Sequence, residues 1–300
     1  MMELPPELIP EYGAYVQLSE RISRVVCKNY GPFTYTGTGT YIIGDTSVAV
    51  IDPGPLDRDH LAALMTGLKG KTVSHILITH THLDHSPLAD ELAKRTGAKT
   101  YGFGPHGSGR KAGLDGEKVE AGADMNFTPD IALKDGDIIK GDGWTLEAVH
   151  TPGHTSNHLC FALKEEECLF VGDHVMGWST TVISPPDGDM RAYIESLRKV
   201  MARDEKLYYP THGEAIKKAR RFVSATIAHR NSRETQILRA IGDGNHSIDD
   251  IVADCYKDID HRLHPAAARS VLAHLIMMEE DGKVATDGPV RISSQYKLTS

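Results

Sequence analysis

The run Thr79-His80-Thr81-His82-Leu83-Asp84-His85 is the most informative stretch of the chain, because it gathers three imidazoles and one carboxylate within six residues. Zinc-like divalent ions in proteins take imidazole nitrogen and carboxylate oxygen as ligands, and a catalytic ion keeps one position open for water. In an extended backbone, His80, His82 and Asp84 project to the same side. The run therefore predicts metal binding, and taken alone it predicts no particular reaction.

The histidine run lies between a predicted strand and a predicted helix. Residues 73–78 form an apolar, β-branched run typical of a strand, and residues 87–96 have the composition of a helix that Gly97 ends. Further strands are predicted over residues 23–26, 40–43, 47–51, 144–149, 158–163, 168–171 and 207–209, and further helices over 59–68 and 191–201. The fold class is therefore α/β, with mixed rather than strictly alternating elements (α+β).

The pattern of the chain changes near residue 231. Short helices are predicted over residues 233–241, 247–256 and 265–280, and they precede two strands over 283–286 and 290–298 that Asp287-Gly288-Pro289 joins. A chain of 300 residues also exceeds the usual size of one small core. We therefore predict a catalytic domain over residues 1–230 and a winged-helix-like domain over residues 231–300.

Composition limits the classes of partner. The formal net charge of −8 disfavours a broad attraction to nucleic acid or to an anionic membrane. The chain lacks an apolar run of the ~18–20 residues that span a bilayer, and its first residues lack a signal-peptide pattern. The four cysteines show no Cys-x-x-Cys spacing, which favours reduced thiols. We expect a cytoplasmic protein without a membrane partner.

Three further metal donors follow predicted strands downstream. His154 lies in Thr151-Pro152-Gly153-His154-Thr155, Asp173 follows Gly172, and His212 precedes Gly213. Together with the histidine run they give seven donors, which suffice for two ions at four or five ligands each when one donor is shared.

The order of these motifs resembles that of the metallo-β-lactamase superfamily over most of residues 22–230. Within the superfamily the pattern is similar to the beta-lactamase-like protein 2 group, and this likeness extends over nearly the whole chain. The additional matches are Gly31-Pro32-Phe33-Thr34, Gly37-Thr38-Gly39-Thr40-Tyr41, Thr180-Thr181-Val182 and His229-Arg230-Asn231-Ser232-Arg233-Glu234. The resemblance implies an αβ/βα sandwich followed by a small winged-helix-like domain.

The resemblance also implies a role for each donor. His80, His82 and His154 would hold the first ion, Asp84, His85 and His212 the second, and Asp173 would bridge both. Two divalent ions are expected, with zinc first and manganese or iron as alternatives. Water held between them would lose its proton near neutral pH and act as the nucleophile, with Asp84 orienting it as a catalytic residue.

Two other features of this region bear on the substrate. His158 is a candidate for protonating a leaving group, and its structural alternative is a histidine bonded to the backbone at a strand start. Leu83 stands where the family often has a polar residue, and Ser86-Pro87 stands where it has small glycines. Contacts to the substrate beside the ions are therefore expected to differ from those of the family.

The resemblance implies phosphodiester cleavage in single-stranded RNA. The same metal centre serves thioesters in glyoxalase II, and lactones and β-lactams in other members, so the substrate is expected to be an ester, a phosphodiester or an amide. A glyoxalase-II-like thioesterase is the first alternative, but such an enzyme would normally end in a helical extension, whereas this tail ends in a predicted hairpin. A nucleic-acid-binding regulator with a vestigial hydrolase fold is the alternative from a different class. The complete set of donors argues against such a degenerate site.

Some weaker signals concern partners. Gly102-Phe103-Gly104-Pro105-His106-Gly107 is not followed by a helix pattern, so residues 102–124 are predicted to form a lid rather than a nucleotide site. The basic stretch over residues 217–233 is either a solvated helix face or a contact for RNA phosphates. Residues 231–300 carry eight Lys or Arg against eleven Asp or Glu, so no sequence-specific DNA binding is expected. We expect this tail to pack on the catalytic domain or on a second subunit of a homodimer.

Overall fold

A computed structural model describes residues 9–110 and 122–299, so residues 111–121 of the predicted lid lie outside the described residues. The first sheet has seven strands in chain order, antiparallel up to the fourth and parallel from there on. Its strands are β1 (Val16–Gln17), β2 (Ile22–Val26), β3 (Gly39–Ile43), β4 (Ser47–Ile51), β5 (Thr72–Leu77), β6 (Lys99–Gly102) and β7 (Ile131–Ala132).

The second sheet has five strands in the order β12-β11-β10-β9-β8, and only the pair β11 and β12 is parallel. Its strands are β8 (Ile138–Gly141), β9 (Trp144–His150), β10 (Leu159–Leu163), β11 (Cys168–Gly172) and β12 (Leu207–Pro210). Helices α1 (Arg58–Gly67) and α2 (Ala89–Thr96) connect strands of the first sheet, and α3 (Met190–Met201) connects β11 to β12.

Alternation of side chains along the strands builds the layers. In β3, Tyr41 and Ile43 pack between the two sheets with Phe161 and Phe170, whereas Ile42 packs outward with Leu64 of α1. The outer face of the second sheet is covered by α3 and by two C-terminal helices. Helix, sheet, sheet, helix is the predicted αβ/βα sandwich, and this prediction is confirmed.

The C-terminal part contains α4 (Ala219–Gly242), α5 (Ile248–Cys255) and α6 (His264–Glu280), followed by the antiparallel pair β13 (Val284–Thr286) and β14 (Tyr296–Leu298). The predicted helix over residues 233–241 is wrong in length, because it is only the last part of a helix of 24 residues. No glycine or proline interrupts the sequence between residues 219 and 241, so nothing local ends the helix earlier. The proposed division at residue 230 falls inside this helix and remains a prediction.

The predicted strand over residues 290–298 is also too long. Thr286 pairs with Tyr296, so a segment of nine residues, 287–295, replaces the expected tight turn. Ser294 explains the difference, because its hydroxyl donates to Pro289 O and accepts from Arg291 N–H, which closes a local turn in place of strand pairing. No helix within the described ranges combines the length and the apolar character needed to cross a bilayer.

Candidate metal centre

The seven predicted donors converge at one edge of the sandwich. The histidine run follows β5, His154 follows β9, Asp173 follows β11 and His212 follows β12. The two sheets are joined at this edge, where Leu159 N–H donates to Thr79 O at 2.7 Å and thereby fixes the start of the histidine run against β10. Residues separated by more than 130 positions in sequence are therefore brought together.

Three histidines form the first donor group. His80 Nε2 lies 2.9 Å from His82 Nδ1, and His154 Nε2 lies 3.1 Å from the same nitrogen. All three side chains are buried, and their facing nitrogens lie within 4.8 Å of one another. This is the group that the sequence analysis assigned to the first ion.

The second donor group combines a carboxylate with two histidines. Asp84 Oδ2 lies 3.1 Å from His212 Nε2 and 3.5 Å from His85 Nε2. The backbone does not stay extended through the run, because the N–H groups of His85 and Ser86 both donate to His82 O and close a turn. The turn directs Asp84 to this second group, away from the group that contains His82.

Asp173 lies between the two groups. Its Oδ1 is 3.4 Å from His212 Nε2 and 3.6 Å from His85 Nε2, and its Oδ2 is 3.9 Å from His154 Nε2. Asp173 Oδ1, His85 Nε2 and His212 Nε2 are buried without a hydrogen-bond partner. Three such atoms at these separations fit a shared cation with ligand distances of about 2.0–2.2 Å. The cluster is therefore compatible with a divalent metal site, which would satisfy buried groups that otherwise lack a partner.

The electrostatics differ between the two groups. Burial, reinforced by the neighbouring histidines, holds the pKa of His80 well below its usual value, so this imidazole is neutral. Burial also lowers the pKa of His212, but Asp173 and Asp84 outweigh it and raise that pKa to about 10. The pKa of Asp84 is held well below its usual value, because His85 and His212 outweigh burial. In the absence of an ion, the second group therefore holds protons that a cation would displace.

Asp52 contacts the ring nitrogen of His85 that faces away from the other donors, and this role was not predicted from the sequence. Its carboxylate is fully buried and accepts from Thr79 N–H (2.8 Å), Thr79 Oγ1–H (2.7 Å) and Thr211 Oγ1–H (3.2 Å), and it lies 2.9 Å from His85 Nδ1. An anionic acceptor at Nδ1 keeps the proton there and leaves Nε2 of His85 as the ligand atom. The available signal was its position at the end of β4, which is parallel to β5.

Backbone carbonyls orient two more of the donors. His154 Nδ1 lies 2.7 Å from Val182 O, and His212 Nδ1 lies 3.1 Å from Gly37 O. A carbonyl can only accept, so each Nδ1 carries a proton, and each Nε2 is the atom left to bind an ion. The matching segments 37–41 and 180–182 therefore have a physical role beside the donors.

His158 does not face the surface of the site. It is fully buried, its ring stacks on His80 with centroids 5.1 Å apart, and its Nδ1 lies 2.9 Å from Thr151 Oγ1. Burial holds its pKa well below the usual value. This placement favours positioning of His80 over protonation of a leaving group. His174 is likewise buried, with its ring against Tyr193.

Apolar side chains are exposed around the centre. Leu83, which belongs to the histidine run itself, is 48% exposed, and its N–H donates to Gly122 O. Met125, just beyond that partner segment, is 60% exposed. The departure of Leu83 from the family pattern therefore adds apolar surface next to Asp84.

The fold and the metal donors together identify the protein family. The family model for the metallo-beta-lactamase superfamily matches residues 35–212, and the model for the beta-lactamase associated winged helix domain matches residues 247–291. The chain belongs to the metallo-β-lactamase superfamily and is a hydrolase of that superfamily. The predicted resemblance and the winged-helix-like tail are confirmed.

Proteins similar to this chain in sequence carry more than one kind of name. An atrochrysone carboxyl ACP thioesterase of Cryptosporiopsis sp. is 28% identical over 296 residues, covering 92% of this chain and 85% of its own length. Such a thioesterase of Aspergillus fumigatus is 32% identical over 239 residues, covering 78% and 69%. A beta-lactamase-like protein 2 homolog of Caenorhabditis elegans is 30% identical over 277 residues, covering 89% and 87%.

Solved structures show the same fold over most of the chain. A metallo-beta-lactamase family protein from Thermus thermophilus has a TM-score of 0.77 at 22% identity, covering 94% of this chain and 100% of its own. A beta-lactamase domain protein from Burkholderia ambifaria has a TM-score of 0.80 at 19% identity, covering 98% and 96%. At these identities the likeness concerns the fold alone.

Proposed function

We propose that the chain is a two-ion thioester hydrolase, with His80, His82 and His154 on one ion, Asp84, His85 and His212 on the other, and Asp173 between them. The observation that supports hydrolysis is the position of Asp173, whose two carboxylate oxygens face separate donor groups. Zinc is the expected ion, with manganese and iron as alternatives. Such ions would supply a water that is deprotonated near neutral pH and a Lewis acid for the acyl oxygen.

Asp84 orients the attacking water. Its side chain is 25% exposed, and His85 and His212 keep its pKa well below the usual range, so it is ionised at neutral pH. An ionised carboxylate accepts a hydrogen bond from the water and holds it for attack. Asp52 holds His85, and the carbonyls of Val182 and Gly37 hold two further donors, so the surroundings of the water are rigid.

The leaving group favours a thioester. A thiol has a pKa of about 8.5, so a thiolate leaves without being protonated, whereas an alkoxide or an amine needs a general acid. The acid that the sequence predicted, His158, is fully buried behind His80, and burial lowers its pKa so that the imidazole is uncharged at neutral pH. The thioesterase relative also matches over 296 residues, so the winged-helix tail is no obstacle to this activity.

The test compares substrates that differ in the leaving atom. Metal-loaded protein is assayed on the N-acetylcysteamine thioester of an aromatic acid and on the oxygen ester with the same acyl group. We expect hydrolysis of the thioester, a much slower reaction of the oxygen ester, and loss of activity in Asp173→Ala. The matched control is Asp187→Ala, which removes a buried carboxylate that accepts from Ser156 and is not among the donor groups.

A second candidate is phosphodiester cleavage in single-stranded RNA. It is favoured by the 30% identity over 277 residues to a protein named as a beta-lactamase-like protein 2 homolog. Single-stranded RNA, bis(p-nitrophenyl) phosphate, a lactone and a β-lactam are therefore assayed in parallel. Cleavage of RNA with no turnover of the thioester would replace our proposal, and binding of fewer than one metal per chain would end both candidates.

The regulator alternative, the homodimer and the cytoplasmic location remain predictions. A protein that holds metal, turns over none of these substrates and binds one specific nucleic acid tightly would favour a regulator. Light scattering of the purified full chain tests the homodimer, and cell fractionation tests the location.

A further inference from the structure

A cavity lies between the loop that carries Thr181 and Val182 and the C-terminal helices α4 and α6. Its volume is about 200 Å³. Its described lining includes the arginines Arg230 and Arg233 and contains no carboxylate, although the chain as a whole has a net charge of −8. The cavity is therefore a local positive site in an acidic protein.

Arg230 is the more deeply buried of the two arginines, and only 2% of its surface is exposed. One Nη donates to Thr181 O, the guanidinium lies 5.3 Å from the centre of the Tyr193 ring, and Nε has no hydrogen-bond partner. Within residues 9–110 and 122–299 no carboxylate pairs with it. A buried cation without a counter-charge is unfavourable, and an anion would relieve that cost.

Arg233 follows on the same face of α4. Its Nη1 donates to Cys255 O at 2.5 Å and to Gln236 Oε1 at 2.7 Å, its guanidinium lies 3.9 Å from the centre of the Tyr256 ring, and its Nε is buried without a partner. Both guanidinium groups are thus fixed by carbonyls and aromatic rings, and each keeps an Nε–H that could donate to a ligand. Such preorganised donors suit a carboxylate or a phosphate group.

The rest of the wall is mainly aromatic and aliphatic. It includes Phe33, Trp178, Leu263 and Ala267. The volume is below the roughly 300–1,000 Å³ of a typical small-molecule site, so the cavity takes part of a ligand. That part has an anionic group and an apolar body.

One segment, which contains Thr181 and Val182, contacts both the cavity and the proposed metal ligands. Thr181 Oγ1 donates to Asp173 O, and Val182 O lies 2.7 Å from His154 Nδ1. Thr181 and Val182 also line the cavity. A group bound there would therefore lie close to the first donor group.

We infer that this cavity binds a carboxylate or phosphate carried on an aromatic or branched apolar part of the substrate. The assignment rests on the proposed function, because it makes the cavity the specificity site for an anionic acyl compound. An RNA strand is less well matched: successive phosphates need cations spread along an open surface, whereas Arg230 and Arg233 are held together in a small cavity.

Binding of an acid and of its neutral amide separates charge from shape. Calorimetry is performed with full-length, metal-loaded protein and 2-naphthoate or 2-naphthamide. We expect naphthoate to bind at least about tenfold more tightly, as one charge-assisted hydrogen bond provides. Equal affinities for the two compounds would overturn the inference.

Substitutions at an exposed position locate the binding. Thr180 lines the cavity and is exposed, so Thr180→Asp and the near-isosteric Thr180→Asn should both fold. We expect Thr180→Asp to weaken naphthoate at least about tenfold and to leave naphthamide unchanged, because only the aspartate repels the acid. Thr180→Asn should bind both compounds like the unmodified protein. Equal behaviour of the two variants would mean that naphthoate binds elsewhere, for example on the ions.

Arg233→Met tests the arginine directly, with Arg221→Met as the matched loss of charge on the exposed face of α4. We expect only Arg233→Met to weaken naphthoate, at unchanged metal content. If the protein binds single-stranded RNA, if Thr180→Asp weakens that binding, and if naphthoate does not bind, the cavity would be assigned to RNA phosphates instead. Because binding needs no turnover, charge-dependent binding without thioester hydrolysis would remove the proposed function and leave the cavity. Hydrolysis without charge-dependent binding would do the reverse.

Discussion

Replacement of Asp52 by asparagine should weaken metal binding, although Asp52 is not itself a proposed metal ligand. The new side chain would keep one carbonyl oxygen for Thr79 N–H, which now donates at 2.8 Å, and asparagine tolerates the positive φ of 50° at this position. It would place an NH₂ group where Oδ2 now faces His85 Nδ1 at 2.9 Å. The hydroxyl groups of Thr79 and Thr211 can rotate and accept from that NH₂ group, but two N–H groups cannot face each other.

The imidazole of His85 therefore has to change its tautomer. It would accept at Nδ1 and carry its proton on Nε2, which is the atom that faces Asp84 and Asp173. Loss of an acceptor behind a metal-binding histidine costs about 10–100-fold in metal affinity, or about 1.4–2.8 kcal/mol. We expect this loss for the ion held by Asp84, His85 and His212, and a smaller loss for the other ion.

Competition with a chelator measures both affinities, and mass spectrometry of the metals measures their number. The control is Asp130→Asn, which removes a carboxylate that accepts from Thr100 outside the donor groups. The reasoning would be refuted if Asp52→Asn held both ions as tightly as the unmodified protein. It would also be refuted if Asp130→Asn weakened them equally.

Four further outcomes are expected. Asp173→Ala should abolish turnover and lower the metal content below two per chain while the circular dichroism spectrum stays unchanged; near-full activity would contradict the bridging role. Asp173 and Asp84 outweigh burial and raise the pKa of His212 to about 10, and the same carboxylates raise the pKa of His85. Both imidazoles must lose a proton when an ion binds, so metal affinity should rise by at least about tenfold per pH unit from pH 7 to 9, as chelator competition at several pH values will show. The raised pKa of His212 also means that this histidine stabilises the metal-free protein. The contribution to the free energy of unfolding is complete below the unfolded pKa of about 6.5 and is lost as the pH rises towards 10, which urea unfolding can follow. Gly153→Ala should lower the melting temperature far more than Gly136→Ala, because a Cβ at Gly153 would lie 2.3 Å from Tyr193 Cα whereas one at Gly136 meets nothing within 4 Å; equal shifts would show that the positive φ alone matters.

Local patterns were sufficient for most of the strands. The run at residues 47–51 is β-branched and became β4 with the same bounds, and the predicted helix at 87–96 ends at Gly97 in the left-handed conformation. The two-residue strand β7 (Ile131–Ala132) was not predicted, because pairing with Tyr101 and Gly102 defines it rather than any pattern of its own. Short strands of this kind depend on their neighbours.

The donors were more predictable than their supports. Histidine and aspartate motifs are rare enough to be recognised along the chain, as His154 and Asp173 were. Asp52 precedes a proline and a glycine, a pattern typical of a turn, and only the parallel pairing of β4 with β5 carries it behind His85. The inward position of His158 likewise follows from stacking on His80, which the sequence does not contain.

The C-terminal region has a structural role in the site that requires no nucleic acid. Arg230 of α4 holds the carbonyl of Thr181, and Ser270 of α6 accepts from the N–H of Ile183 at 3.3 Å. Between these two anchors, Val182 presents the carbonyl that fixes the tautomer of His154. Arg230 and Ser270, which lie on opposite sides of the proposed division after residue 230, therefore hold one turn that orients a proposed metal ligand. Because α4 also runs unbroken between the core of the sandwich and the core of the tail, any displacement of the tail should reach the first donor group.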